Sequence, residues 1–198
     1  RLNIVGLRNP VKDSGRVTNA FDDKCWVFYK DDQNNWILFD DYKVTTTPGY
    51  APRQKRLPLG PNNQGVAMLV YGQFIDKWKI GYHQNRTGKI GGKLDRNGNI
   101  APEHKALINA TTSQIRNTPS GTGYFKPGER TPQTAAIGIN IHHALEKGIT
   151  PNVYNWSEGC IVFASKNQHD EFMNLCQQQV DKASKGRFTF TLVPQSEF

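Results

Sequence analysis

At 198 residues and 36% hydrophobic, the chain has the length and apolar content of one domain, 1–198, with a substantial core, and its composition excludes a disordered chain. No run approaches the ~18 apolar residues of a membrane-spanning helix, and Lys+Arg 25 against Asp+Glu 17 leave a net charge of +8, which favours an anionic surface or polymer as partner. The positive charges are scattered over Lys77, Lys79, Arg86, Lys89, Lys93, Lys126 and Arg130 without the signature of a nucleic-acid module, so nucleic acid is not the expected partner.

Short runs rich in β-branched and aromatic residues, at 26–29, 36–39, 66–71 and 78–82, lie between Pro and Gly turns and predict strands. Asp95-Arg96-Asn97-Gly98-Asn99 starts like a calcium loop. Ile100 and Ala106 stand where that loop needs Gly and a bidentate Glu, so a hairpin turn at Asn97-Gly98 is expected instead. The stretch 111–134 is dense in Thr, Ser, Gly and Pro with little periodicity, and reads as a long irregular segment. Tyr124 and Phe125 at its centre suit a flap over a substrate groove. A strand carrying His142 follows. Further on, Ser165 can cap a helix in which Phe172, Leu175, Cys176, Val180 and Ala183 recur at helical spacing, ending near Gly186, and 187–192 alternates as a strand. The fold class expected is mainly β with minor α.

The chemistry concentrates at 139–163. His142 lies upstream of Asn155-Trp156-Ser157-Glu158-Gly159-Cys160, and Cys160 opens an apolar run. A thiol near its reference pKa of about 8.5 is mostly protonated at neutral pH, so a working nucleophile needs an imidazole or an electropositive backbone beside it. His142 and the Ser157-Glu158-Gly159-Cys160 turn could supply both. Gly159 lacks a Cβ, so the backbone can bend there, and the N–H groups of Gly159 and Cys160 are the expected oxyanion hole. Gly-Cys in an apolar run is also the pattern of a buried small hydrophobe; Cys25, within Cys-Trp-Val-Phe-Tyr, and Cys176, on the helix, read that way. Three cysteines cannot all pair within the chain, so at least one is left as a thiol, with Cys25 and Cys176 the pair that could bridge. There is no Cys-x-x-Cys or His-x-x-x-His spacing among the three cysteines and five scattered histidines, so neither a metal nor another cofactor is expected.

His142 followed, after a gap, by Ser157-x-Gly159-Cys160 resembles the signature of the L,D-transpeptidase catalytic domain (YkuD-like) family, in which a histidine precedes a Ser-His-Gly-Cys motif. Two positions depart from it: His143 replaces the small residue usual after the first histidine, and Glu158 the histidine two before the cysteine. The chain is therefore similar to a divergent branch. Thr45-Thr46-Thr47-Pro48-Gly49, 65–73 and Trp78-Lys79-Ile80-Gly81-Tyr82-His83 look like strand and turn blocks that precede the active-site region in phage- or toxin-associated relatives.

The resemblance implies a β-sandwich or β-rich catalytic domain with a helix after the cysteine motif. It also implies a cysteine enzyme acting on peptidoglycan stem peptides, with Cys160 attacking the carbonyl before a terminal D-amino acid and His142 as base. Water, a free D-amino acid or a second stem would resolve the thioester, giving L,D-carboxypeptidase, exchange or L,D-transpeptidase activity. His143, Trp156, Glu158, Tyr82 and His83 are candidate substrate contacts. An immunity protein is a candidate second partner, and the expected location is the periplasm or cell wall, reached by secretion or on a phage. The chain opens at Arg1 without methionine, as a processed product or excised domain would, so a missing export signal excludes no destination. Two alternatives stand beside this reading. One is a wall-binding or structural module of a phage particle or toxin with a decayed site. The other is an unrelated cysteine peptidase, disfavoured because in papain- and NlpC-like folds the cysteine precedes the histidine.

Overall fold

The computed structural model of the chain describes residues 1–13, 18–49, 67–83, 104–111, 113–117, 133–136, 138–144, 148–157, 159–184 and 186–197. In chain order its strands are β1 (Asn3–Arg8), β2 (Asp23–Lys30), β3 (Trp36–Thr45), β4 (Ala67–Leu69), β5 (Gly72–His83), β6 (His104–Asn109), β7 (Ser113–Asn117), β8 (Gln133–Ala136), β9 (Ile141–His143), β10 (Ile161–Phe163) and β11 (Phe188–Pro194). A short helix, α1 (Pro10–Asp13), follows β1, and the long helix α2 (Lys166–Ala183) follows β10. The protein is mainly β with minor α, and α2 stands where a helix was expected after the cysteine motif.

Eight strands close into a barrel in the order β1–β11–β5–β6–β9–β10–β3–β2 and back to β1. The β1/β11 and β9/β10 pairs are parallel and the others antiparallel. Where the resemblance implied a sandwich of two sheets, hydrogen bonding runs around one ring. Strands β4, β7 and β8 form a separate three-stranded sheet. Thus both ends of the stretch expected to be irregular contain strand. Its middle, 118–132 with Tyr124 and Phe125, and the Asn97-Gly98 hairpin lie outside the described residues.

Alternation along the strands decides what enters the core. Phe188, Phe190 and Leu192 of β11 are buried while Thr189 and Thr191 between them are only partly so. The core cluster draws side chains from all eight barrel strands and from α2, among them Ile4, Val27, Tyr42, Trp78, Leu107, Ile141, Phe163 and Phe172. Gly6 of β1 sits so close to β11 that an added Cβ would lie 2.5 Å from the Phe190 ring. That glycine also interrupts the apolar pattern of β1, which the sequence reading passed over along with β6. On α2 the Phe172, Leu175 and Cys176 stripe is buried as expected, joined by His169 and Met173, while Ala183 is exposed. Ser165 occupies the N-cap position with extended backbone, but its side chain makes no capping bond; Ser184, in the left-handed region, ends the helix. All three cysteines are thiols, so the Cys25–Cys176 bridge is not formed, and both of those side chains lie in the core.

Candidate functional site

The parallel β9/β10 pair aligns His142 with Val162 and His143 with Phe163, and the Ile161 N–H donates to the Asn140 carbonyl at 3.0 Å. Side chains of registered residues in adjacent strands point the same way, and successive residues alternate. Asn140, His142 and Ala144 therefore share one face with Cys160, Val162 and Ala164. That face packs against Phe21 and Val153, while Ile141, Ile161 and Phe163 point into the core. Eighteen residues apart in sequence, Cys160 and His142 become diagonal neighbours on one surface.

The half-buried Cys160 sulfur is held from both sides. It receives the Asn140 backbone N–H at 3.4 Å, and its own S–H is directed at the Gly138 carbonyl at 3.5 Å. Gly159, at φ +126°, makes the bend before it, a conformation that favours glycine. Ser157 staples this bend: its Oγ accepts from the Gly159 N–H at 3.2 Å and donates to the Cys160 carbonyl at 2.7 Å. The Gly159 N–H, expected as an oxyanion donor, is thus engaged inside the turn, and Ser157 is the residue that shapes it.

A buried ionic network supports the turn from behind. Asp23 accepts from the Thr46 N–H at 2.6 Å and the Thr46 hydroxyl at 2.7 Å, and pairs with Lys12 at 2.9 Å. Arg8 donates to Thr46 Oγ1 at 3.0 Å and to the Thr46 and Leu69 carbonyls at 3.1 Å each. With Thr46 fixed, the loop after β3 carries Gly49 up to the cysteine motif, where the Gly49 N–H donates to the Ser157 carbonyl at 3.0 Å. The Thr45-Thr46-Thr47-Pro48-Gly49 block singled out in the sequence is this strut.

His142 Nδ1 lies 2.8 Å from the His143 carbonyl. A carbonyl only accepts, so Nδ1 carries the proton, and in the neutral ring Nε2 keeps its lone pair. Burial first, then the neighbouring His83, hold the His142 pKa well below the ordinary 6.5; the carbonyl bond opposes them without prevailing. His142 is therefore a neutral imidazole at physiological pH. His83 stacks on it with ring centroids 3.9 Å apart and planes 12° from parallel.

All five histidines of the chain meet at this end of the barrel, although no spacing in the sequence suggested it. His104 lies 5.4 Å from His83 and 4.0 Å from His143, and His143 lies 5.2 Å from His169 of α2, all between ring centroids. Burial, with mutual repulsion adding to it, pushes His83 down to about 4, His104 to about 3 and His169 well below 6.5. Among the described residues, no group of three or more His, Cys, Asp or Glu side chains is arranged to hold a metal ion.

Of the expected substrate contacts, His83 lies at the site, and Trp156 is partly exposed in the turn leading to Ser157. Tyr82 is exposed, but alternation puts it on the opposite face of β5 from His83. His143 is corrected from groove contact to interior residue: it is buried beside His104 and His169 because it alternates with His142 across β9. Glu158 lies outside the described residues. Asn140 was missed. Its side-chain Nδ2 meets His83 Nδ1 at 3.1 Å, and its Oδ1 accepts the Asn109 N–H at 3.0 Å. The signal was there in the alternation of Ile139-Asn140-Ile141-His142, which buries the isoleucines on one face and leaves Asn140 beside His142.

Comparison with protein-family models, curated proteins and solved structures finds no match. The geometry therefore carries the functional argument.

Proposed function

We propose that the chain is a cysteine acyl-transfer enzyme acting on peptidoglycan stem peptides through a Cys160 thioester. One observation carries this reading: a half-buried thiol shares a strand face with a histidine whose Nδ1 proton is committed to a backbone carbonyl, leaving Nε2 as the basic nitrogen. Two structural cysteines of the same chain are buried in the core, and only Cys160 sits in such a setting. The choice of stem peptides rests on the resemblance of the His142 and Ser157-x-Gly159-Cys160 pattern, and the net charge of +8 suits a polymer that bears carboxylates and phosphates.

In this mechanism the Cys160 proton passes to His142 Nε2 as the sulfur attacks the carbonyl that precedes a terminal D-amino acid. The C–N bond breaks, His142 returns the proton to the leaving amine, and the acyl group stays on sulfur as a thioester. An amine or water then attacks it and regenerates the thiol. A neutral imidazole on the same strand face as the thiol, rather than a preformed ion pair, suits proton transfer concerted with attack. Hydrolysis or exchange with a free D-amino acid is favoured over crosslinking, which needs a second bound stem and exclusion of water. Burial of His143 removes one support for that preference, since the residue cannot hold water in the groove. The working location of such an enzyme is the periplasm or cell wall.

Incubation with isolated tetrapeptide muropeptides, with and without added D-amino acid, followed by mass spectrometry, tests the proposal. Trimmed or exchanged products are expected, lost in Cys160→Ala and retained in Cys25→Ala and Cys176→Ala. Dimers as the main product would reverse the preference for hydrolysis. Binding to sacculi without any conversion would favour a wall-binding module with a decayed site.

A further inference from the structure

Resting on the thiol-enzyme reading above, we propose that Asn140 is a positioning residue that locks His83 as a neutral ring flat against His142. In this arrangement His142 can take up the Cys160 proton without a second positive charge beside it. The argument begins with a donor that has no choice. The Asn109 backbone N–H can only donate, and it meets Asn140 Oδ1 at 3.0 Å, which turns the amide NH2 end towards His83. That NH2 also only donates, so His83 Nδ1, 3.1 Å away, must be the ring's lone-pair nitrogen. The His83 proton is therefore on Nε2, and a protonated His83 would set two N–H groups against each other.

The same residue reaches the nucleophile. The backbone N–H of Asn140 points at Cys160 Sγ, while its side chain sets the tautomer of the ring stacked on His142. Among the described residues, the basic groups around His83 are His104 on β6, His142 and His143 on β9, and, beyond them, His169 and Lys166 on α2, while the Cys160 thiol lies across Asn140. A charge on His83 would lie closest to His142, across a 3.9 Å stack, and would oppose the imidazolium that forms when Cys160 gives up its proton. A neutral aromatic face tolerates that cation. Asn140 has a further anchor: the Trp78 indole N–H donates to the Ile139 carbonyl at 2.8 Å and fixes the backbone just before it.

The test is a double-mutant cycle of Asn140→Ala and His83→Phe, read by the pH dependence of iodoacetamide alkylation at Cys160 and by two-bond ¹H–¹⁵N spectra of the histidine rings. In the parent protein His83 is expected as the Nε2–H tautomer at pH 7. Asn140→Ala alone removes the donor that opposes a proton on His83 Nδ1, while burial still opposes the charge, and moves the acid limb of the alkylation profile upward by at most about one pH unit, a tenfold loss on that limb. His83→Phe keeps a flat ring that cannot take a proton, and its own limb is the reference for the second background. Adding Asn140→Ala to His83→Phe then moves it no further, because nothing remains to lock. An Nδ1–H or charged His83 in the parent overturns the lock. So does an equal loss from Asn140→Ala in both backgrounds, the behaviour of a residue that merely supports the fold. If parent Cys160 alkylates no faster than the thiol of the unfolded chain, the thiol-enzyme reading fails, and the tautomer spectrum still decides the lock.

Discussion

His142 combines a fixed tautomer with a lowered pKa, and the two together define how Cys160 can be activated. Because burial keeps the ring neutral, under the proposed mechanism it would accept the thiol proton over the whole neutral range and ionise only as the thiol reacts. His142→Ala is therefore expected to slow Cys160 alkylation near pH 7 and to move the rate profile upward towards the ordinary thiol pKa of about 8.5, where thiolate forms unaided. An unchanged profile, measured by mass spectrometry of the alkylated protein, would mean that the imidazole does not assist the thiol. Cys160 and His142 could be singled out in the sequence because thiol and imidazole are residue types with distinctive chemistry at a recognisable spacing, and the β9/β10 pairing brings them onto one face. Asn140 was not. An amide carries no motif, and its importance comes from three hydrogen-bonding groups that meet partners on β5, on β6 and at Cys160.

Strands β9 and β10 are three residues each, too short to hold a site by pairing alone, so neighbouring elements position it. The 46–49 loop does most of this, with Thr46 fixed by Asp23 and Arg8 and Gly49 pressed against the turn that precedes Ser157. A Cβ at Gly49 would lie 2.3 Å from the Tyr154 carbonyl oxygen and 2.5 Å from its nitrogen, both backbone atoms that cannot swing aside. Gly49→Ala is thus expected to cost about 1–3 kcal/mol in urea denaturation, as overpacking does, and to slow Cys160 alkylation because Ser157 moves. Gly186→Ala is the control. Nothing lies within 4 Å of a Cβ there, and its midpoint should stay near that of the parent. Strands β2, β3 and β5 were readable from runs rich in β-branched and aromatic residues between turns, β11 from its alternation and helix α2 from its helical period. Strand β1 was hidden by Gly6, whose missing side chain makes sense only against Phe190 of β11.

At the scale of the molecule, the histidine cluster ties stability to pH. In the unfolded chain each histidine takes a proton near 6.5, whereas in the folded protein His83 does so only at about 4, His104 at about 3, and His142 and His169 well below their ordinary value. From about pH 6.5 downward the unfolded state binds more protons, so stability falls as the solution is acidified, by up to about 1.4 kcal/mol per pH unit for each fully buried ring. Urea midpoints are expected to drop between pH 7.5 and pH 5, and to drop less in His169→Phe, whose ring would sit among Phe163 and Phe172 without a charge to bury. Equal midpoints at the two pH values would contradict this. The sequence by itself determined the mainly β class, the helix after the cysteine motif, and Cys160 and His142 as the residues to examine, because periodicity and residue chemistry are local properties. Only the tertiary structure decided that the strands close into a barrel, that His143 is interior, that the Gly159 N–H is spent on Ser157, and that five scattered histidines converge with Asn140 between one of them and the thiol. Closure and convergence depend on pairing between residues far apart in the chain, and a side chain's partner across a sheet is set by register, which no single segment contains.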